Sequence, residues 1–256
     1  MRIPRLYLNQ PLAKDDETTL DARCVHYLNN VLRMKAGMKL VLFNGSGLEY
    51  HGILKKLGKK DGLVAIDKAI DPGTESSLRT LLAIGISRGE RMDYVIQKST
   101  ELGVNSIQPL YTEFCEVKLN VKRLGKKHEH WEQVSISACE QSGRVAPPVI
   151  FPPIALPDWL DSTLDYQARI LLDQNNSHHL NQSEKPNSIV YLAGPEGGLS
   201  EKEKALAVSK GFSGFSLGPR TLRTETAPVA ALSVFQYLWG YKDDRDAGVE
   251  MDIARN

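Results

Sequence analysis

The sequence predicts an α/β protein in which a mostly parallel sheet flanked by helices follows a small β-rich unit. Three observations carry this. From Leu81 onward, short apolar runs alternate with helical stretches, the pattern of strand–helix–strand units. Between Leu40 and Ile66 the chain instead breaks into short runs separated by Asn44-Gly45-Ser46-Gly47, Gly58 and Asp61-Gly62, which is hairpin chemistry. The segment Asp71-Pro72-Gly73-Thr74-Glu75-Ser76-Ser77 has a linker's composition, so the boundary between two domains is placed there.

The elements follow in order. His26 to Met34 reads as a short helix with Leu28, Val31 and Leu32 on its apolar side. Leu81 to Ile86 is a buried strand. Glu90 to Leu102 puts Met92, Val95, Ile96, Ser99 and Leu102 on one helical face, with Gly103 as its stop. Ser106 to Tyr111 is the next strand, where Pro109 points to an edge or a bulge. Trp131 to Ser142 is a helix and Arg169 to Leu172 a strand, and the Asn-, Gln-, Ser- and His-rich segment Asp173 to Ser188 reads as a loop. Ser188 to Ala193 is a strand, and Ser200 with Glu203 forms a capping-box signature after it. Gly214 to Leu217 is the last apolar run, followed by a helix from about Glu225 to Trp239. General topology rules make such a sheet open and unknotted.

Composition narrows the class. The 256 residues, 41% hydrophobic and 25% charged, suffice for one large or two modest soluble domains. No apolar run approaches the roughly 20 residues that span a bilayer, and the N-terminus lacks a signal-peptide core, so no membrane is expected. Cys24, Cys115 and Cys139 are odd in number and far apart, which fits a reducing cytoplasm without disulfides or zinc. His128-Glu129-His130 and His178-His179 lack metal-helix spacing and read as solvated loop histidines, so no metal is expected. The net charge is only +1, but residues 1–71 hold twelve Lys/Arg against eight Asp/Glu, while the tail from Lys242 holds three against five. The N-terminal segment is therefore mildly basic, which by itself reads as solvated surface charge.

Two glycine-rich loops carry the functional signal: Gly194-Pro195-Glu196-Gly197-Gly198, and the stretch from Leu217-Gly218-Pro219-Arg220 to Thr226-Ala227. Each follows an apolar run and precedes a helix, which places both at one sheet edge, where α/β folds bind ligands. Neither is a dinucleotide fingerprint or a Walker loop, and that disfavours a nicotinamide enzyme. Gly85-Ile86-Ser87-Arg88-Gly89 matches the hydrolase elbow G-x-S-x-G, but the only downstream histidines are His128, His130, His178 and His179, none near the C-terminal end. The match reads as accidental.

The two loops, in this order and spacing, resemble the RsmE family of rRNA uridine methyltransferases in the SPOUT superfamily. The resemblance extends over nearly the whole chain, through Met1-Arg2-Ile3-Pro4-Arg5, Val31-Leu32-Arg33-Met34, Ser87-Arg88-Gly89-Glu90-Arg91-Met92, Gln97 to Val104, and Ala138-Cys139-Glu140-Gln141-Ser142-Gly143-Arg144. It implies a PUA-like β-barrel over residues 1–72 and a SPOUT methyltransferase domain over 76–241 with a C-terminal trefoil knot; 242–256 is a polar tail without assigned function. It also implies a homodimer, S-adenosylmethionine (SAM) as cofactor, and metal-free methyl transfer to N3 of a uridine in small-subunit (16S-type) rRNA in the cytoplasm.

The residues carry the implied roles as follows. Gly194, Gly197, Gly198 and Gly218 let main chain approach a cofactor, and Leu217, Leu222 and Ala227 supply apolar walls. With Leu172, Leu192, Pro195, Glu196, Arg223, Thr224 and Thr226 they make the expected cofactor set. A helix N-terminus disfavours a sulfonium by only ~0.3–1 kcal/mol, which loop carbonyls offset. N3 of uridine is a poor nucleophile until its proton leaves, so a carboxylate base and a guanidinium beside the developing anion lower the barrier. Glu225 and Arg223 are placed in those roles; alternatively, Glu225 and Thr226 belong only to the helix start. Arg2, Arg5, Arg33, Arg88, Arg91, Arg144 and Arg220 are the expected RNA contacts. Pro228 to Trp239 is apolar almost all round and needs cover on several sides, from a monomer core or a second subunit. A non-catalytic RNA-binding module, or a methyltransferase for another RNA nucleotide, is the alternative.

Overall fold

The computed structural model describes residues 3–116, 121–160, 165–175 and 185–240. Arg2, His178, His179 and the tail from Lys242 lie outside the described residues. The chain divides into two compact units: Met1–Glu75 with Ile96–Gly103 and Leu119–Ile150, and Ser76–Val95 with Val104–Lys118 and Phe151–Asn256.

The first unit contains a five-stranded sheet. Its strands are β1 (Arg5–Tyr7), β2 (Glu17–Thr19), β3 (Lys39–Phe43), β4 (Glu49–Leu57) and β5 (Gly62–Ile70), in the spatial order β1-β3-β4-β5-β2. β1 joins β3 in parallel; the other pairs are antiparallel. The turn-bounded runs between Leu40 and Ile66 are thus the two hairpins expected, and β4 and β5 alternate buried with half-buried residues over much of their length. Leu6, Leu28, Leu40, Leu42, Leu54 and Val64 form the core.

Helix α1 (Ala22–His26) starts at Asp21, whose carboxylate accepts from the Cys24 N–H at 2.7 Å. It passes into a π-helical turn over Tyr27–Val31, closed by Leu32 N–H to the Tyr27 carbonyl. That corrects the short helix expected over His26–Met34. The wider turn shifts the side-chain phase, so Leu28 is buried while Val31 is 60% exposed and Leu32 also faces out. α3 (Val121–Ser142) begins ten residues before Trp131. His128 is accordingly a helical residue, its Nε2 2.7 Å from the Ile150 carbonyl oxygen, and not a loop histidine. His130 lies on the same helix.

α2 (Glu90–Glu101) buries Met92, Val95, Ile96 and Ser99, and the Gly103 N–H bonds the Thr100 carbonyl just past its end. The second unit holds a parallel sheet of β6 (Arg79–Gly85), β7 (Ser106–Tyr111), β10 (Ala168–Leu172), β11 (Ser188–Ala193) and β12 (Ser213–Phe215), ordered β12-β10-β11-β6-β7. The short strands β8 (Val149–Ile150) and β9 (Ile154–Ala155) follow α3, and β9 pairs with β7. β7 therefore has β6 on one side and β9 on the other, so Pro109 does not mark an edge.

All six residues of β11 are buried, as a central parallel strand requires. On one face, α4 (Leu156–Leu160) and α5 (Glu201–Ser209) cover Leu81, Val190 and Leu192. Against β11 lies α6 (Thr226–Phe235), where Phe235 meets Tyr191 edge-on at 5.4 Å and Phe215 at 5.7 Å. A π-helical turn over Gln236–Gly240 ends it, anchored by Ser77 N–H to the Gly240 carbonyl and Ser76 Oγ to Gln236 Oε1. Because the strands run parallel, the loops after β6, β10, β11 and β12 emerge at one edge, beside the point where the strand order reverses.

Candidate functional site

The first glycine loop is closed by its own backbone. Gly198 N–H donates to the Pro195 carbonyl at 2.8 Å, and Ser200 and Glu203 form the reciprocal capping box that starts α5. A Cβ on Gly194 would lie 2.7 Å from the Gly198 carbonyl carbon, so no side chain fits there. The second loop, residues 216–225, is held mainly by hydroxyls. Ser216 Oγ donates to the Gly218 carbonyl, Thr221 Oγ1 to Gln174 Oε1 at 2.8 Å, and Thr224 Oγ1 to the Gly194 carbonyl at 2.9 Å. Gly218 holds φ +103°, open to glycine alone at little cost.

Between the loops lies a cleft of about 370 Å³. Of the expected cofactor residues, Leu172, Gly194, Pro195, Glu196, Gly197, Gly198, Leu217, Gly218, Leu222, Thr224 and Ala227 line it. Three do not. Leu192 is fully buried in the apolar core of β11, the Arg223 side chain is 81% exposed, and Thr226 sits exposed at the start of α6. The sequence reading missed Asp173, Gln174, Asn175, Phe215, Ser216 and Lys204. Their signal was position, since Asp173 directly follows β10 and Phe215 ends β12. Asp173 and Lys204 form a pair at 3.6 Å, and Lys204 also bonds Glu201 at 2.9 Å. The Glu201 hydrogen bond, opposed by burial and aided by Asp173, raises the Lys204 ammonium above its ordinary value, so it stays charged.

A second depression, lined by Arg88, Gly89, Glu90, Arg91 and Glu116, shares Glu196 with the cleft. Burial pushes the Glu196 carboxyl up, but hydrogen bonds from the Arg88 N–H, its own backbone and Arg91 outweigh that and hold it below the usual carboxylate range. Arg91 Nη1 lies 3.0 Å from Glu196 Oε1, and its Nε 4.0 Å from Glu225 Oε2. Arg223 Nη1 lies 3.8 Å from Glu225 Oε1. Glu225 is only 16% exposed, and its Oε2 has no hydrogen-bond partner among the described residues. Although Glu225 occupies the N-cap position of α6, its side chain makes no cap bond.

The arginines divide. Arg33, Arg88, Arg91 and Arg220 are exposed; Arg88 pairs with Glu116, and Arg220 also lines the cleft. Two expected RNA contacts are corrected. Arg144 is 3% exposed, bound by Glu75 at 2.7 Å and donating to the Thr100 carbonyl at 2.8 Å. Arg5 pairs with Glu49 and donates to the Gly143 and Arg144 carbonyls. Both guanidiniums are committed to internal partners, and pulling a buried charge from its partner costs several kcal/mol. Ser87 is buried and hydrogen-bonded to Thr224, which disposes of the elbow match. Among the described residues, no group of His, Cys, Asp or Glu is arranged to hold a metal ion, and no helix is long and apolar enough to cross a membrane.

A family described as RNA methyltransferase domain matches residues 74–236, and one described as RNA methyltransferase PUA domain matches 20–67. The chain is similar to the ribosomal RNA small subunit methyltransferase E of Buchnera aphidicola, with 36% identity over 240 residues that cover 93% of this chain and 98% of the relative. Among solved structures it resembles a Legionella pneumophila protein in complex with the cofactor SAM, at 36% identity and TM-score 0.89, covering 94% of this chain and 100% of that one. The ribosomal RNA small subunit methyltransferase E of Neisseria gonorrhoeae, bound to S-adenosyl methionine, aligns at 38% identity and TM-score 0.88, covering 93% and 99%.

Proposed function

This chain belongs to the ribosomal RNA small subunit methyltransferase E family and is a SAM-dependent rRNA methyltransferase, and we propose on that premise that its acceptor is N3 of one uridine in the 16S-type RNA. The observation that carries the reading is the junction at Glu196. There a cleft walled by two glycine loops adjoins a depression carrying Arg88 and Arg91.

The cleft's chemistry fits SAM. Leu172, Leu217, Leu222 and Ala227 supply apolar walls, main chain at Gly194 and Gly218 lines the cleft, and Glu196 and Asp173 set negative charge beside a cationic ligand. When bound, SAM supplies an electrophilic methyl group on a sulfonium. The protein's task is to remove the N3 proton and to steady the charge left on the ring. Glu225 takes that proton in this reading, supported by its nearly buried carboxylate, one oxygen of which accepts no hydrogen bond among the described residues. The absence of a cap bond from Glu225 to α6 favours this role over a helix-start role. Arg223, within 4 Å of Glu225, supports the anion, and Arg33, Arg88, Arg91 and Arg220 take phosphates.

The same reading assigns residues 1–72 to a PUA-like RNA-binding domain and 76–241 to the methyltransferase domain, with its C-terminal connection knotted. It makes the enzyme a cytoplasmic homodimer. Tyr237, in the π-helical turn after α6, is 84% exposed, a surface a second subunit would cover. A monomeric mass by light scattering at micromolar concentration would remove the dimer from this account.

The test of the acceptor is transfer from labelled SAM to small ribosomal subunits taken from cells lacking this gene, followed by nucleoside analysis. Label in 3-methyluridine is the expected result. Label in another nucleoside would displace the uridine assignment.

A further inference from the structure

Thr224 sits where the second glycine loop, the end of β11 and the segment after β6 meet. Its hydroxyl donates to the Gly194 carbonyl at 2.9 Å and lies 3.4 Å from Ser87 Oγ. A hydroxyl has one proton to give and two lone pairs with which to accept. With that proton spent on Gly194, Thr224 offers Ser87 only an acceptor, so the order is Ser87 to Thr224 to Gly194. Ser87 is buried, and its other acceptor, the Gly85 carbonyl, lies at 3.5 Å. The hydrogen bonds from Ser216 and Thr221 hold the second loop to itself and to Gln174; the one from Thr224 ties it to the first loop.

Thr224 also stands between Arg223 and Glu225, and the α6 backbone begins by bonding the Arg223 carbonyl. Glu225 makes no cap bond of its own, so the anchoring of its neighbour sets where its carboxylate starts. We infer that Thr224 is a positioning residue, a latch whose hydroxyl closes the second loop onto the first and thereby sets both the cofactor wall and the place of Glu225. The serine of the apparent hydrolase elbow becomes the donor behind that latch. This inference rests on the reading of the cleft as the SAM site.

The test is calorimetric titration of SAM into the full chain, with kcat and thermal melting measured on the same samples. Thr224→Val keeps the shape of the side chain but leaves the Gly194 carbonyl without its partner. It is expected to weaken SAM binding about tenfold and to lower kcat, with melting little changed. Thr224→Ser restores both to within about twofold, since the hydroxyl returns. Ser87→Ala, which removes only the donor behind the latch, is expected to cost about threefold in affinity. Tight SAM binding by Thr224→Val, or equal losses in Thr224→Ser and Thr224→Val, would overturn the latch and leave the cofactor reading standing. Should Thr224→Val fail to fold, Ser87→Ala decides, and undiminished affinity there overturns the directed chain. An unaltered chain that binds no SAM would overturn the cofactor reading and the latch with it.

Discussion

Arg144 with Glu75 and Arg91 with Glu196 are both guanidinium–carboxylate pairs, but they belong to different regions and work under different conditions. In the first unit, Arg144 is buried, gripped by both Glu75 oxygens, and spends a further donor on the Thr100 carbonyl. In the second, Arg91 is half-exposed, meets Glu196 through one nitrogen, and stands within reach of a second carboxylate, Glu225. The first pair has its donors satisfied inside the protein and has nothing left for a ligand. The second leaves capacity facing the depression next to the cleft between the glycine loops. Burial and satisfaction, more than residue type, separate the arginines spent inside this molecule from those left at its surface.

Substitutions tell the two pairs apart. The largest effect expected is on chemistry. Glu225→Ala should lower kcat by about 10²–10⁴-fold, the usual range for a lost general base, while SAM binding by calorimetry persists. Normal transfer by this variant would remove Glu225 from the base role. Next comes stability, since Arg144→Met strands Glu75 and should cost about 3–5 kcal/mol in denaturant unfolding. Arg91→Met should cost at most about 1 kcal/mol, because its pair is exposed, yet reduce methyl transfer. If the two variants exchanged phenotypes, the division of the arginines would be wrong.

Smaller effects concern RNA affinity. Arg33→Gln and Arg220→Gln should each lower the slope of log affinity against log salt by roughly one unit, and Arg5→Gln should not. The smallest effect is on acid tolerance. Because the folded protein holds Glu196 below its ordinary range, the contribution of this group is present above the ordinary carboxylate pKa, about 4.3, and is lost only as pH falls through the lower folded value. Glu196→Gln should therefore lower stability slightly near neutral pH, leave it unchanged below the folded value, and so flatten the acid limb of the stability curve.

Much of this was legible in the sequence. The turn residues between Leu40 and Ile66 announced both hairpins, and the apolar runs of β6, β10 and β11 announced the parallel sheet. The two glycine loops located the cleft, because main-chain approach and positive φ both need glycine. What stayed hidden depended on distance along the chain or on local phase. Arg144 reads as a surface charge until Glu75, sixty-nine residues earlier, is found against it. The first half of α3 carries Gly125, lysines and histidines without apolar period, so it gave no helical signal. The π turn after α1 moved Val31 and Leu32 off the face that a 3.6-residue period gave them. Asp173, Gln174 and Asn175 lie in a polar stretch, and only their position at the carboxyl end of β10 makes them cleft residues.

In the proposed reaction this sheet edge delivers a methyl group to N3 of uridine with Glu225 as base. The most direct measurement is nucleoside analysis by mass spectrometry of small-subunit rRNA from cells lacking the gene, complemented with either the unaltered chain or Glu225→Gln at matched protein levels. 3-Methyluridine is expected to return with the unaltered chain and to stay at the background level with Glu225→Gln. Equal restoration by both would contradict the role of Glu225, and no 3-methyluridine from the unaltered chain would contradict the acceptor itself.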